Sequence, residues 1–110
     1  MNKIILIGRL TKDPETKIIE ETGRVLCKFI LAVDRHFKDA NGEKQADFIP
    51  VIFWGKKAEI ISEYMTKGRL ISISGRLQTD HYEASDGTMR YKAEVVADDF
   101  QFVDGKKEVV

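Results

Sequence analysis

The sequence predicts a mainly β fold, a five-stranded, partly open barrel with one helix between strands 3 and 4. Three observations carry this. Apolar residues alternate with period 2 over most of the 110 residues, the period becomes helical once, between Lys56 and Lys67, and polar turns separate the alternating stretches. The length fits one domain, 1–103, followed by a loose C-terminal end, 104–110.

In the first strand, Lys3 to Leu10, Ile4, Leu6, Gly8 and Leu10 share one face while Ile5 and Ile7 occupy the other, so the strand is apolar on both faces. Asp13-Pro14 makes a turn, Lys17 to Glu20 a short extended piece, and Glu21-Thr22-Gly23 a second turn. A long second strand, Val25 to Arg35, presents Val25, Cys27, Phe29, Leu31 and Val33 as its core face. A polar loop, His36 to Ala46, turns around Asn41-Gly42, and a third strand rich in aromatic and β-branched residues runs from Asp47 to Trp54. The helix, Lys56 to Lys67, has one apolar stripe of Ala58, Ile61, Tyr64 and Met65 with Ile60 beside it, and Gly68 suits the position that stops it. A fourth strand runs from Arg69 to Gln78 and on to Glu83, and the turn at Ser85 to Thr88 leads to a last strand, Met89 to Val103. The order β-β-β-α-β-β is that of an OB-fold, with the helix closing one end of the barrel. Another small α+β sheet is the second arrangement this string permits.

Composition removes several function classes. Eighteen Lys and Arg balance eighteen Asp and Glu, so no strong basic charge argues for a polyanion, and local arrangement would have to hold one. The apolar run Ile4 to Ile7 is far short of the ~20 residues of a membrane span and too short for a signal segment, which predicts a cytoplasmic protein without membrane contact. One cysteine and two histidines cannot assemble a disulfide or a zinc-ligand spacing, and no cofactor is expected. No phosphate-cradling glycine loop or nucleophile elbow is present: Gly55-Lys56 is followed by Lys57 where Ser or Thr would hold magnesium. The chain reads as a non-enzyme.

Aromatic residues carry the positive signal. Phe29, Phe53 and Tyr64 lie on faces shared with aliphatic residues and read as core, as do Phe100 and Phe102. Four others fit a core badly. Phe37 stands among His36, Lys38 and Asp39, Tyr82 lies between His81 and Glu83, and Phe48 and Trp54 share the strand face opposite Ile49, Val51 and Phe53. Rings on an exposed sheet face are stacking platforms for unpaired bases. Nearby cations could hold the phosphates: Arg35 and Lys38 beside Phe37, Lys56 and Lys57 after Trp54, and Arg90 and Lys92 across the turn from Tyr82. Asp34, Asp39, Asp80 and Glu83 are interspersed with them, so a solvated face of mixed sign is the alternative for each.

Along essentially its whole length the chain resembles the bacterial single-stranded DNA-binding proteins. The resemblance rests on NKIILIGRLTKDPE (2–15), FILAVDRHFKDANGE (29–43), ADFIPVIFWGKKAE (46–59), GRLQT (75–79) and RYKAEVVADDFQF (90–102). It implies sequence-tolerant binding and protection of single-stranded DNA in replication, recombination and repair, in the cytoplasm and on the nucleoid. The family's stacking positions fall on Phe37, Phe48, Trp54 and Tyr82. It also implies a homotetramer, in which another copy would cover Ile5 and Ile7. Two departures stand out. Asp80 and His81 precede Tyr82 where the family often has basic residues, which predicts weaker or pH-sensitive backbone attraction there. The chain stops at Lys106-Lys107-Glu108-Val109-Val110, where relatives usually continue into a flexible linker with an acidic tip, so tail-mediated protein partners are not expected from this chain. An OB-fold protein-interaction module of a replication complex and a single-stranded RNA binder are the competing readings.

Overall fold

The period-2 alternation resolves into six strands, one more than expected. A computed structural model describes residues 1–103, in the order β1 (Ile4–Leu10), β2 (Glu15–Ile19), β3 (Arg24–Lys38), β4 (Lys44–Trp54), α1 (Lys56–Tyr64), β5 (Leu70–Glu83) and β6 (Met89–Phe102). The expected loose end, 104–110, lies outside the described residues. The sheet order is β1-β5-β6-β4-β3-β2 and β1 also pairs with β3, so β1, β5, β6, β4 and β3 form a closed ring with β2 outside it on β3. That ring is the OB-fold arrangement, and α1 still falls between its third and fourth strands. The added strand β2 is the short extended piece of the sequence. Its Thr16 hydroxyl bonds the Ser62 hydroxyl of α1 at 2.6 Å, tying the hairpin to the helix.

Inside the ring, the core face of β3 behaves as its alternation dictates: Cys27, Phe29 and Leu31 are buried, with Val25 and Val33 packed at the margins. Phe53 of β4 is fully buried, stacked on Phe29 with centroids 6.2 Å apart and edge-on to Phe100 at 5.7 Å. Helix α1 plugs one end with Ala58 and Ile61. It ends three residues earlier than expected. Met65 leaves the helix in an extended conformation (φ −101°, ψ 142°) and buries its side chain, which turns Tyr64 outward. Tyr64 is therefore exposed rather than core, its ring beside that of Phe102. Gly68 does not stop the helix either. It holds φ +87° in the following turn, where its N–H donates to the Leu10 carbonyl at 2.8 Å.

Ring closure is short at two seams. β4 pairs with β6 in parallel through Val51↔Val95 and Ile52↔Val96, and neighbouring Pro50 has no N–H for a further rung. β1 meets β3 through Arg9↔Ala32 and Leu10↔Leu31. Just before that seam, a Cβ on Gly8 would collide with the Ala32 carbonyl, so the close approach requires glycine. Replacing Gly8 by Ala is expected to cost about 1–3 kcal/mol through overpacking at a site that cannot shift without parting the strands. The loss would be read as a lower urea midpoint at unchanged slope; an unchanged midpoint would mean that this approach does not constrain the fold.

Candidate nucleic-acid interface

Both long hairpins outrun the barrel. On β5–β6, pairing continues to Glu83↔Met89, and residues 80–83 and 89–93 are exposed on both faces, so this end projects as a ribbon. On β3–β4, strand structure reaches Lys38 and resumes at Lys44, which places Phe37 at the end of a strand and shortens the expected loop of 36–46 to residues 39–43. The reason is Asp39. Its Oδ1 accepts the backbone N–H groups of Asn41 and Glu43, both at 2.9 Å, its Oδ2 accepts the Gln45 amide at 2.8 Å, and Gly42 supplies φ +79°. The Glu43 N–H leads the hydrogen bonds that hold the Asp39 carboxyl below its ordinary range, those from Asn41 and Gln45 adding to it against partial desolvation.

Phe37, Phe48 and Tyr82 are 64%, 65% and 53% exposed. Phe48, Pro50, Ile52 and Trp54 share the outer face of β4, where Phe48 lies opposite Ala32 and Trp54 opposite Leu26. Trp54 is half-buried, with the Arg24 guanidinium over its ring at 4.4 Å. A groove of about 400 Å³ crosses this face, with Ile30 and Pro50 in its floor, the loop at Thr11 to Asp13 along it, and Lys92 and Glu94 at its β6 border. Lys92 and Glu94 lie opposite Asp80 and Gln78, on the ribbon face that also carries Tyr82 and Arg90. The groove therefore joins the Phe48–Trp54 face to the Tyr82 face. Phe37 stands past Phe48 toward the tip of its ribbon. His81 points to the opposite ribbon face, its ring 6.1 Å from that of Tyr91.

Among the expected phosphate contacts, some cations are already engaged. Arg35 forks onto Asp47, with Nη2 at 2.7 Å and Nε at 3.1 and 3.2 Å. That hydrogen-bonded pairing raises the Arg35 pKa and lowers that of Asp47. Lys57 donates to the Asp98 carbonyl at 2.8 Å and lies 3.6 Å from Asp99, and Arg90 is 3.7 Å from Asp86. The Asp86 carboxyl is held low chiefly by the Thr88 hydroxyl. Among the described residues, Lys38, Lys56 and Lys92 form no ion pair. All these groups are exposed, so exchanging one anionic partner for another is inexpensive.

The profile of the single-strand binding protein family matches residues 1–103. The chain belongs to this family. Among its relatives, single-stranded DNA-binding protein 2 of Clostridium acetobutylicum is 56% identical over 108 residues, covering 98% of this chain and 80% of the relative. The single-stranded DNA-binding protein of Clostridium tetani is 57% identical over 109 residues, covering 98% and 74%. Single-stranded DNA-binding protein 1 of C. acetobutylicum is 53% identical over 110 residues, the whole of both chains.

Set within this family, the remaining features fall into place by location. Ile5 and Ile7 project exposed from the outer face of β1, as the two-faced strand predicts. Among the described residues no cluster of His, Cys, Asp or Glu could hold a metal, and burial pushes the Cys27 thiol up, away from its reactive form. No helix among them is long and apolar enough to cross a membrane. The sequence reading missed the groove residues Lys28, Ile30, Pro50 and Glu94, whose only sequence signal is alternation with Phe29 on β3, Val51 on β4 and Val95 on β6.

The Asp39 turn makes a prediction about acid. Because its carboxyl is depressed in the folded state, the turn's contribution is complete above the unfolded value of about 3.9 and is lost as pH falls through the lower, folded value. Amide resonances of Asn41 and Glu43 are expected to shift together with a midpoint below about 3.9, and the shift should vanish in Asp39→Asn. A midpoint at or above that value would show that the carboxylate does not hold the hairpin tip.

Proposed function

We propose that this protein binds single-stranded DNA with little sequence preference and shields it in replication, recombination and repair, working in the cytoplasm and on the nucleoid. Bases stack on Phe37, Phe48, Trp54 and Tyr82, and Lys38, Lys56 and Lys92 contact phosphates, joined by Arg35, Lys57 and Arg90 as they exchange their carboxylates. The observation that carries this reading is one apolar-floored groove joining two sheet faces that present exposed rings, in a chain of zero net charge. A solvated surface of mixed charge does not concentrate rings in this way, and every base offers a π-face to them. The names of the relatives support DNA as the strand. Phe48→Ala is expected to weaken oligo(dT) binding by about 1–3 kcal/mol at every salt concentration, because it removes stacking and no phosphate contact. Lys38→Ala should instead flatten the plot of log affinity against log salt by about 0.7, the effect of one phosphate contact on a single strand. Parallel titrations with poly(dT), poly(U) and duplex DNA test the reading. Preference for RNA, or no binding to any of them, would sink it.

We also infer a homotetramer, in which further copies cover the outer face of β1. Ile5 and Ile7 form an exposed apolar pair on a strand whose other face already serves the core, a surface that a monomer has no use for. Ile5→Asp and Ile7→Asp should each shift the sedimentation coefficient toward that of the monomer, since each buries an unpaired charge. A monomeric wild type at micromolar concentration, or variants that stay assembled, would move the interface elsewhere.

A further inference from the structure

Among the described residues, Trp54 is the one of the four proposed stacking rings with a cation over it. The Arg24 guanidinium carbon lies 4.4 Å from the ring centroid. Arg24 sits two residues before Leu26, the cross-strand partner of Trp54, which is the diagonal position from which a long side chain crosses the sheet face. The β2–β3 turn fixes its backbone there. Gly23 takes φ +72° and donates its N–H to the Ile19 carbonyl at 2.7 Å, and the Thr22 hydroxyl accepts the Arg24 N–H at 3.2 Å. Arg35 and Arg90 rest on Asp47 and Asp86, whereas among the described residues no carboxylate pairs with Arg24. Its guanidinium is held by the indole.

An indole has two faces, and a guanidinium stacked on one of them occupies the place of a base. An exposed cation–π contact is weaker than base–aromatic stacking, so the exchange of one for the other runs toward the base. The displaced group remains planar, charged and tethered beside the nucleotide that replaced it, and its fork matches a phosphate. We propose that Arg24 is a positioning residue that stands in for a base: it covers Trp54 in the free protein and passes from the ring to the phosphate of the nucleotide stacked there. The inference rests on the stacking reading above and adds a coupling to it, because filling the Trp54 position creates one phosphate contact that the free protein does not offer.

The test is the salt dependence of oligo(dT) binding by wild type, Arg24→Ala and Arg24→Lys, read by anisotropy of a labelled oligonucleotide so that changes in Trp54 emission do not enter. Arg24→Ala should flatten the slope by about 0.7 and cross the wild-type line, weaker at low salt where the phosphate contact counts, and tighter at high salt where the bare ring needs no displacement. Arg24→Lys should keep the wild-type slope, since an ammonium also reaches the phosphate. In the free protein, acrylamide should quench Trp54 more strongly in Arg24→Ala than in wild type, and the difference should close when the strand is bound. An unchanged slope overturns the proposal, and so does an equal loss of affinity at all salt concentrations, which would mean that Arg24 merely props the ring. Failure of the wild type to bind oligo(dT) at all would remove the stacking reading itself, a result distinguishable from either.

Discussion

Five strands close into a ring only where two backbones come within hydrogen-bonding reach with no side chain between them, and the rest of this structure depends on that contact. Gly8 supplies it beside the β1–β3 seam, and within the β5–β6 hairpin Gly75 permits a similar approach to Val96, where the register shifts. A Cβ at either position would meet a carbonyl of the neighbouring strand. With the ring closed, Phe29, Phe53 and Phe100 meet inside it, and α1 can cover its end with two small or aliphatic contacts rather than a broad face.

Closure also explains why the candidate interface lies where it does. Once the inner faces of β3 and β4 are committed to the core, their outer faces are covered only in part: Leu26 and Ile52 are buried there, while Phe48 and Ile30 stay exposed and open to a ligand. The β4–β6 link is short, ending beside Pro50, so the wall opens into the groove instead of continuing as sheet. The hairpins need more residues than the barrel can pack, and the surplus projects as ribbons that carry Phe37 and Tyr82 beyond the wall.

Electrostatics is organised locally on a chain without net charge. Arg35, Lys57 and Arg90 each have an acidic partner in reach, which keeps the surface soluble and leaves the cations exposed enough to change partners. Asp39 has no cation partner among the described residues; its carboxylate holds the N–H groups of a turn and so shapes the ribbon tip next to Phe37. Stacking, which salt does not screen, is the complement such a surface calls for.

Alternation determined the long strands, the inward set of Cys27, Phe29 and Leu31 and the outward placement of Phe48 with Trp54, because side-chain direction in a strand follows from spacing in the chain, and the one change to helical period marked α1. The exposed rings were legible by two routes: Phe37 and Tyr82 have polar neighbours in sequence, and Phe48 shares with Trp54 the strand face opposite Ile49, Val51 and Phe53. Tertiary structure decided what spacing cannot encode. It turned Tyr64 out by drawing Met65 in, extended β3 through Phe37 by way of the Asp39 turn, set Asp47 against Arg35, and laid Arg24 over Trp54. It also brought Ile30, Pro50 and Lys92 to one groove from three strands. Each of these depends on strand register or on competition between distant groups for one partner, and neither quantity exists until the ring has closed.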